Sequence, residues 1–277
     1  MKLTVLVDNN TTIDKNYWGE PGLSFYIEDG QNKILFDVGY SDIFLRNAYK
    51  MGIDIKKVNH VVLSHGHLDH TWGMSHLIGI LDYYSPDKKN KKATLLAHPQ
   101  ALSPKTDNGE HIGMMCSDTV LKDCFNVSLS KAPVWISNRL VFLGEIERIN
   151  AFENKRPLGV TMENGVGVED FIMDDSALVY KSDKGLVIIT GCSHSGICNI
   201  VEYAKKICGE ERIVDIIGGL HLLNPSEQQL KGTMEYMKRL KSETVHACHC
   251  TDLKSKIALS QVVNLVEVGV GLELEYK

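Results

Sequence analysis

The sequence predicts an α/β protein: a four-layer αβ/βα sandwich built on mixed sheets. Two observations carry this. Strand-like apolar runs alternate with helical runs along most of the chain, and in each half an apolar strand runs into a histidine-bearing loop, at Leu63-Ser64-His65 and again at Cys248-His249-Cys250. Ligands of α/β sheets gather just beyond the C-terminal ends of strands, so a site along one edge of the sandwich follows. The chain has 277 residues, 43% of them hydrophobic. A chain of that size can bury roughly three quarters of its unfolded surface. We read residues 1–277 as a single domain with an insertion at about 82–132.

Taken in order, β-type runs fall at Leu3–Val7, Leu23–Glu28 and Lys33–Asp37, the last two joined by the hairpin signal Asp29-Gly30-Gln31-Asn32. From Asp42, the spacing of Ile43, Leu45, Ala48 and Met51 is helical and Gly52 stops it. The wholly apolar strand Val58–Leu63 follows, then Ser64-His65-Gly66-His67, then a helix from Met74 to about Leu81. The insertion shows one strand, Thr94–Ala97, among turn signals. Strands resume at Leu140–Leu143, Ala177–Lys181 and Leu186–Thr190, the last pair joined by Asp183-Lys184-Gly185. A helix Ile197–Ile207 stopped by Gly209 leads to strand Ile213–Ile217, and a helix Ser226–Leu240 leads to strand Thr244–Ala247. The alternating stretch Leu272–Tyr276 closes the chain.

Composition narrows the function. Thirty basic against 35 acidic residues give a net charge of −5, which argues against nucleic-acid or membrane-surface binding. The one concentrated basic patch, Lys88–Lys92, sits among turn formers and reads as a solvated loop. No apolar run is long enough to span a bilayer, and Met1 to Val7 reads straight into a β segment, so a cytoplasmic location is expected. Seven cysteines without a secretion signal predict no disulfide framework. The eleven histidines are the more informative count.

His65-Gly66-His67-Leu68-Asp69-His70 places three imidazoles and a carboxylate within six residues of a strand-to-helix loop. These are metal ligands, and the spacing lets residues i and i+2 face one ion while i+4 and i+5 reach a neighbouring one. Further candidates follow other strands: Cys192 and His194 after Leu186–Thr190, His221 after Ile213–Ile217, and His249 after Thr244–Ala247. Cys192 reads either as a ligand or as a small buried hydrophobe, and His221 as a ligand or a proton donor. Asp37, in Phe36-Asp37-Val38-Gly39, either orients a ligating histidine or forms a turn.

Ser64-His65-Gly66-His67-Leu68-Asp69-His70 after an apolar strand, with Phe36-Asp37-Val38-Gly39 upstream, resembles the metallo-β-lactamase superfamily and its His-x-His-x-Asp-His signature. Leu63–His70, Gly144-Glu145-Ile146-Glu147-Arg148, Asp174–Leu178, Thr190–Ile197, Gly218–Leu222 and His249-Cys250-Thr251 are similar to 7,8-dihydropterin-6-methyl-4-(β-D-ribofuranosyl)-aminobenzene-5′-phosphate synthase and its relatives. The resemblance covers essentially the whole chain and implies the metallo-β-lactamase sandwich. It implies that His65 and His67 bind a first metal, Asp69 and His70 a second, and that His249 is the last histidine ligand. Where many relatives have Gly-His this chain has Gly144-Glu145, and where many have Gly-Asp it has Gly191-Cys192. Cys192 would then replace the bridging aspartate, or His194 would supply the missing imidazole, and Glu145 would be a ligand or hold Arg148. Trp72, where glycine is frequent, would stand at the mouth of the site.

The expected function is a metal-dependent hydrolase or transferase that uses a hydroxide held by two divalent ions on a phosphorylated or pterin-like small molecule. Zinc suits the ligands best, with iron or manganese as alternatives. Asp69 would accept a proton, and His221 or His194 would donate one to the leaving oxygen. Arg148 and His111 are candidates for holding an anionic substrate. In the resembled family the chemistry joins a dihydropterin diphosphate to an aminobenzene riboside phosphate and displaces diphosphate. A metal-binding sensor or interaction protein without turnover, and a diiron oxygen or nitric-oxide reductase, are the competing readings. Cys198 and Cys208 read as packing residues, and at most one of Cys248 and Cys250 should face the metals. Oligomeric state is open.

Overall fold

The computed structural model describes residues 1–83, 92–163 and 165–277. Of the basic patch, only Lys92 lies among the described residues. A seven-stranded sheet runs in the order Glu273–Glu275, Lys2–Val7, Ser24–Asp29, Asn32–Phe36, His60–Val62, Thr94–Ala97, Asn126–Leu129. A six-stranded sheet runs Thr244–Cys248, Ile213–Gly219, Leu186–Thr190, Ala177–Lys181, Leu140–Phe142, Val134–Trp135. Both are mixed. In the first, Asn32–Phe36 to Asn126–Leu129 are parallel, and in the second Leu186–Thr190, Ile213–Gly219 and Thr244–Cys248 are parallel.

Alternation along each strand builds the layers, because successive side chains point to opposite faces. On Asn32–Phe36, Ile34 and Phe36 face the second sheet while Leu35 faces the helices. On Leu186–Thr190, Val187 and Ile189 face the first sheet while Leu186 and Ile188 face helices. Strands buried on both faces must read as unbroken apolar runs, which is why these segments stand out in the sequence. Outside the first sheet, helices Ile43–Lys50, Met74–Tyr83 and Asp118–Cys124 contribute Phe44, Ala48, Met74, Leu77 and Leu121 to a second core. Outside the other sheet, Ile197–Cys208 and Glu227–Leu240 contribute Ile200, Val201, Ala204 and Met237 to a third. The result is helices, sheet, sheet, helices, as the sequence predicts.

The helix ends are where their chemistry puts them. Ser226 caps Glu227–Leu240 through its side chain, and Gly209 (φ 62°) closes Ile197–Cys208 in the left-handed region. Segment 92–132 holds more regular structure than its one expected strand: Asn126–Leu129 pairs parallel with Thr94–Ala97 and extends the first sheet. Lys105–Asp107, Glu110–His111, Val160–Glu163 and Val166–Glu169 form a small third sheet.

Candidate metal centre

The parallel strands of both sheets end at one edge, and the loops that leave them carry the side chains that could ligate a metal. Asp37, Ser193, His221 and His249 each follow such a strand and each is a non-glycine residue with φ between 51° and 62°. A left-handed backbone costs such residues about 1–2 kcal/mol, and strain of this kind clusters where geometry is dictated by function. Glycines permit the close packing beneath. A Cβ at Gly66 would lie 2.4 Å from the Ala101 carbonyl oxygen, and one at Gly191 would lie 2.1 Å from Ser64 Oγ.

Two sets of ligand atoms result. Asp69, His70, Cys192 and His249 form one, and His65, Cys192 and His194 the other, each with its ligand atoms within 4.8 Å of one another. His67 belongs beside the second set: its Nδ1 lies 3.0 Å from His65 Nε2 and 3.2 Å from His194 Nε2. Cys192 is common to both sets. In the first, His70 Nε2 and His249 Nε2 are 3.1 Å apart, each 3.2 Å from Cys192 Sγ, and Asp69 Oδ2 lies 3.4 and 3.1 Å from them. A tetrahedral ion with bonds of about 2.0–2.1 Å to nitrogen would set its ligands about 3.3 Å apart.

The surrounding hydrogen bonds decide which nitrogens are bare. Asp37, fully buried, accepts from Ser64 N and from Ser64 Oγ at 2.7 Å, and from His70 Nδ1 at 2.7 Å. Ser64 Oγ, having given its proton to Asp37, accepts from His65 Nδ1 at 2.9 Å. His249 Nδ1 faces Asn9 Oδ1 at 3.3 Å. His65, His70 and His249 thus each spend an outer N–H on the protein and turn a lone pair inward, the usual way a protein prepares histidine to bind a metal. Ring nitrogens facing one another at about 3 Å hold either a shared proton or a cation between them. The donor set therefore fits borderline divalent metal, with His67 Nε2 a further buried nitrogen that has no hydrogen-bond partner among the described residues.

Charge is managed to match. Burial holds the pKa values of His65, His67 and His194 down, His67 to about 4, and neighbouring imidazoles add to the effect at His65 and His194. Burial also works against charge on His70, but Asp69 and Asp37 outweigh it and raise its pKa well above the ordinary value. Burial would raise Asp69; His70 and His249 overcome that and hold it well below the carboxylate range.

Glu145 joins neither set, contrary to the expectation that it is a ligand or holds Arg148. It pairs with His98 at 3.1 Å and Lys131 at 3.0 Å. Arg148 likewise has other work: its guanidinium donates to Asn154 Oδ1 and to the Phe171 and Ile172 carbonyls. Asn154 in turn donates to the His194 carbonyl at 2.8 Å, so Arg148 steadies the loop that carries His194 rather than facing the cavity. His111 is exposed and faces the Met114 carbonyl. Trp72 donates to the Gly113 carbonyl and packs on Tyr40, away from the cavity lining. The His221 ring lies with its centroid 4.3 Å from that of His194, tilted at 54°, and its buried Nδ1 has no hydrogen-bond partner among the described residues. Cys250 lines the cavity while Cys248 is packed between the sheets.

Several supports do not read as such from the sequence, where Asp174 stands only as part of a family motif. Asp174 accepts from Gly66 N at 2.7 Å and from buried Lys105 at 2.8 Å, and Lys105 also pairs with Asp170 at 2.6 Å. Asp8 accepts from His249 N at 2.9 Å. The only local hint is that Asp8, like Asp37, ends an apolar strand. Above the ligands opens a cavity of about 680 Å³, lined by His67, Asp69, Cys192, His194, His221 and His249 among others.

An αβ/βα sandwich with a histidine, aspartate and cysteine cluster at the C-terminal edge of both sheets defines a class of metal-binding folds. A family profile described as Metallo-beta-lactamase superfamily matches residues 17–93. The chain is 32% identical over 271 residues to 7,8-dihydropterin-6-methyl-4-(beta-D-ribofuranosyl)-aminobenzene-5′-phosphate synthase of Methanocaldococcus jannaschii, covering 92% of this chain and 89% of that protein. It is also 32% identical to an uncharacterized protein of the same organism, over 97% and 98% of the two chains. In structure it is similar to Tm1679, a metal-dependent hydrolase of the β-lactamase superfamily, with a TM-score of 0.83, 29% identity and coverage of 100% and 99%. The chain therefore belongs to the metallo-β-lactamase superfamily.

Proposed function

We propose that the protein is a metal-dependent hydrolase or group-transfer enzyme that holds two divalent ions, zinc in the first instance, and acts on a phosphorylated or pterin-like small molecule. One observation carries this reading: Cys192 is shared by two sets of ligand atoms at the floor of an open cavity. His65, His67 and His194 would hold one ion, Asp69, His70 and His249 the other, with Cys192 between them. When bound, such a pair supplies an activated water and a clamp for phosphoryl oxygens.

The rest is the chain's own work. Asp69, partly exposed in the cavity, would accept a proton. His221 would give one to a leaving oxygen, a role supported by its pKa: burial lowers it, but the Cys250 side chain more than offsets this and raises it above the ordinary value. The similarity to a pterin-related synthase supports group transfer alongside hydrolysis.

Elemental analysis of the purified protein should show two metal equivalents. Turnover should then appear with the dihydropterin diphosphate and aminobenzene riboside phosphate pair or with a generic phosphodiester, and vanish in the His65→Ala, His67→Ala double variant. Two bound metals with no turnover on either would favour a sensor over an enzyme.

A further inference from the structure

A second cavity of about 730 Å³ adjoins the one above the ligands and shares Asn9, Asn10 and Lys256 with it. We propose that the substrate site continues into this second cavity, and that Lys256 marks the junction as a subsite for a phosphate-type anion carried on an elongated, two-part substrate. The proposal rests on the functional reading above and deepens it.

Each volume by itself falls in the range of a small-molecule site, about 300–1,000 Å³, so together they suit a ligand longer than the reacting group alone. Among the residues lining either cavity, Lys256 is the one lysine or arginine. It stands half-buried on helix Leu253–Leu259 and has no ion pair or side-chain hydrogen bond among the described residues. The carboxylate nearest in sequence is already spent: Asp252 Oδ1 accepts from Ser255 N at 2.7 Å and Oδ2 from Asn224 N at 2.8 Å. Glu267, on the second cavity's wall, is exposed to solvent.

A partly desolvated ammonium without a counter-charge is unfavourable, and a visiting anion supplies the missing partner through a charge-assisted hydrogen bond. The asparagines point the same way. Because Asn9 Oδ1 faces His249 Nδ1, its amide N–H groups are left for a ligand. The site thus offers a cation and amide donors on the path between the two cavities. The carboxylates that would repel a phosphate there are capped or solvated, except Asp69 at the ligand floor.

Ribose 5-phosphate is a suitable probe, with ribose as its uncharged counterpart. Binding to the purified, metal-loaded protein is measured by calorimetry for wild type, Lys256→Ala and Lys256→Arg, with metal content and Tm recorded for each. The expected result is about tenfold or greater weakening of ribose 5-phosphate binding in Lys256→Ala. Lys256→Arg should stay within about threefold of wild type, ribose should show no Lys256-dependent binding, and metal content should not change. Unchanged ribose 5-phosphate affinity in Lys256→Ala, no binding by wild type, or equal loss in both variants with a lowered Tm would each overturn the subsite. Failure of the functional reading shows separately, as absent metal or absent turnover with the Lys256 dependence of binding intact.

Discussion

Cys192 is the residue on which the two ligand sets turn. A thiolate or carboxylate at this point can face both ions, while a methyl group can face neither. Cys192→Ala, which leaves three candidate ligands on each side, should therefore weaken binding of both proposed ions together, whereas Cys192→Asp should hold two with affinity near wild type, as measured by metal titration followed by elemental analysis. Asp37 acts one step behind, orienting His70 and, through Ser64, His65. Asp37→Ala should weaken metal affinity about 10–100-fold without emptying the site. Lys105 and Asp174 form the other support. Lys105 has a raised pKa: burial opposes its charge, but Asp174 and Asp170 prevail. Asp174 has a lowered one: burial opposes, but Lys105 prevails. The depressed carboxylate stabilises the fold above its unfolded value near pH 4 and loses that contribution as pH falls through the folded pKa. The raised ammonium stabilises below about pH 10.5 and loses its contribution above its folded pKa. Lys105→Met, which leaves buried carboxylates unpaired, should cost about 3–5 kcal/mol near neutrality, and the gap to wild type should narrow in acid, read from denaturant melts across pH. The His-x-His-x-Asp-His ligands were legible in the sequence because they are local. This ion pair was not, since its partners lie 65 and 69 residues apart and no spacing rule joins them.

At the scale of elements, the loops are fixed by supports from other parts of the chain. Helix Ile197–Cys208 begins at Gly196 (φ 99°) with no side-chain cap of its own. Glu153, from a distant loop, accepts from Cys198 N and Asn199 N at 2.9 Å each and supplies what the cap residue lacks. Glu153→Ala should cost about 1–3 kcal/mol and loosen the turn that presents His194. The measurements are hydrogen exchange of the Cys198 and Asn199 amides and the metal affinity of the set containing His194. An intact affinity with faster exchange would separate the cap from the site. Helix and strand positions in the two main sheets were readable because burial on one or both faces writes a period into the sequence. Ala177–Lys181 and Leu186–Thr190 fall where their apolar runs predict. The small third sheet left no such trace: Val160–Glu163 and Val166–Glu169 are largely exposed, and Glu110–His111 is too short to show alternation.

For the whole molecule, the ligands divide between the halves. His65, His67, Asp69 and His70 follow a strand of the first sheet, while Cys192, His194 and His249 follow strands of the second. An ion held by both would join the two sheets at their edge, adding to the apolar core that already joins them along Phe25, Phe36, Phe142 and Ile189. Because the unfolded chain cannot assemble either set, binding acts on the folded state and stabilises it by about 2.7 kcal/mol when free metal is a hundredfold above its Kd. Chelation should therefore lower Tm, and added zinc should restore it in a concentration-dependent way. The two-sheet arrangement makes a sharper claim: His70→Ala on one side and His249→Ala on the other should each remove most of the zinc-dependent rise belonging to their shared ion, and combining them should remove little more. Two independent sites, one on each sheet, would instead give additive losses in calorimetric melts of the double variant.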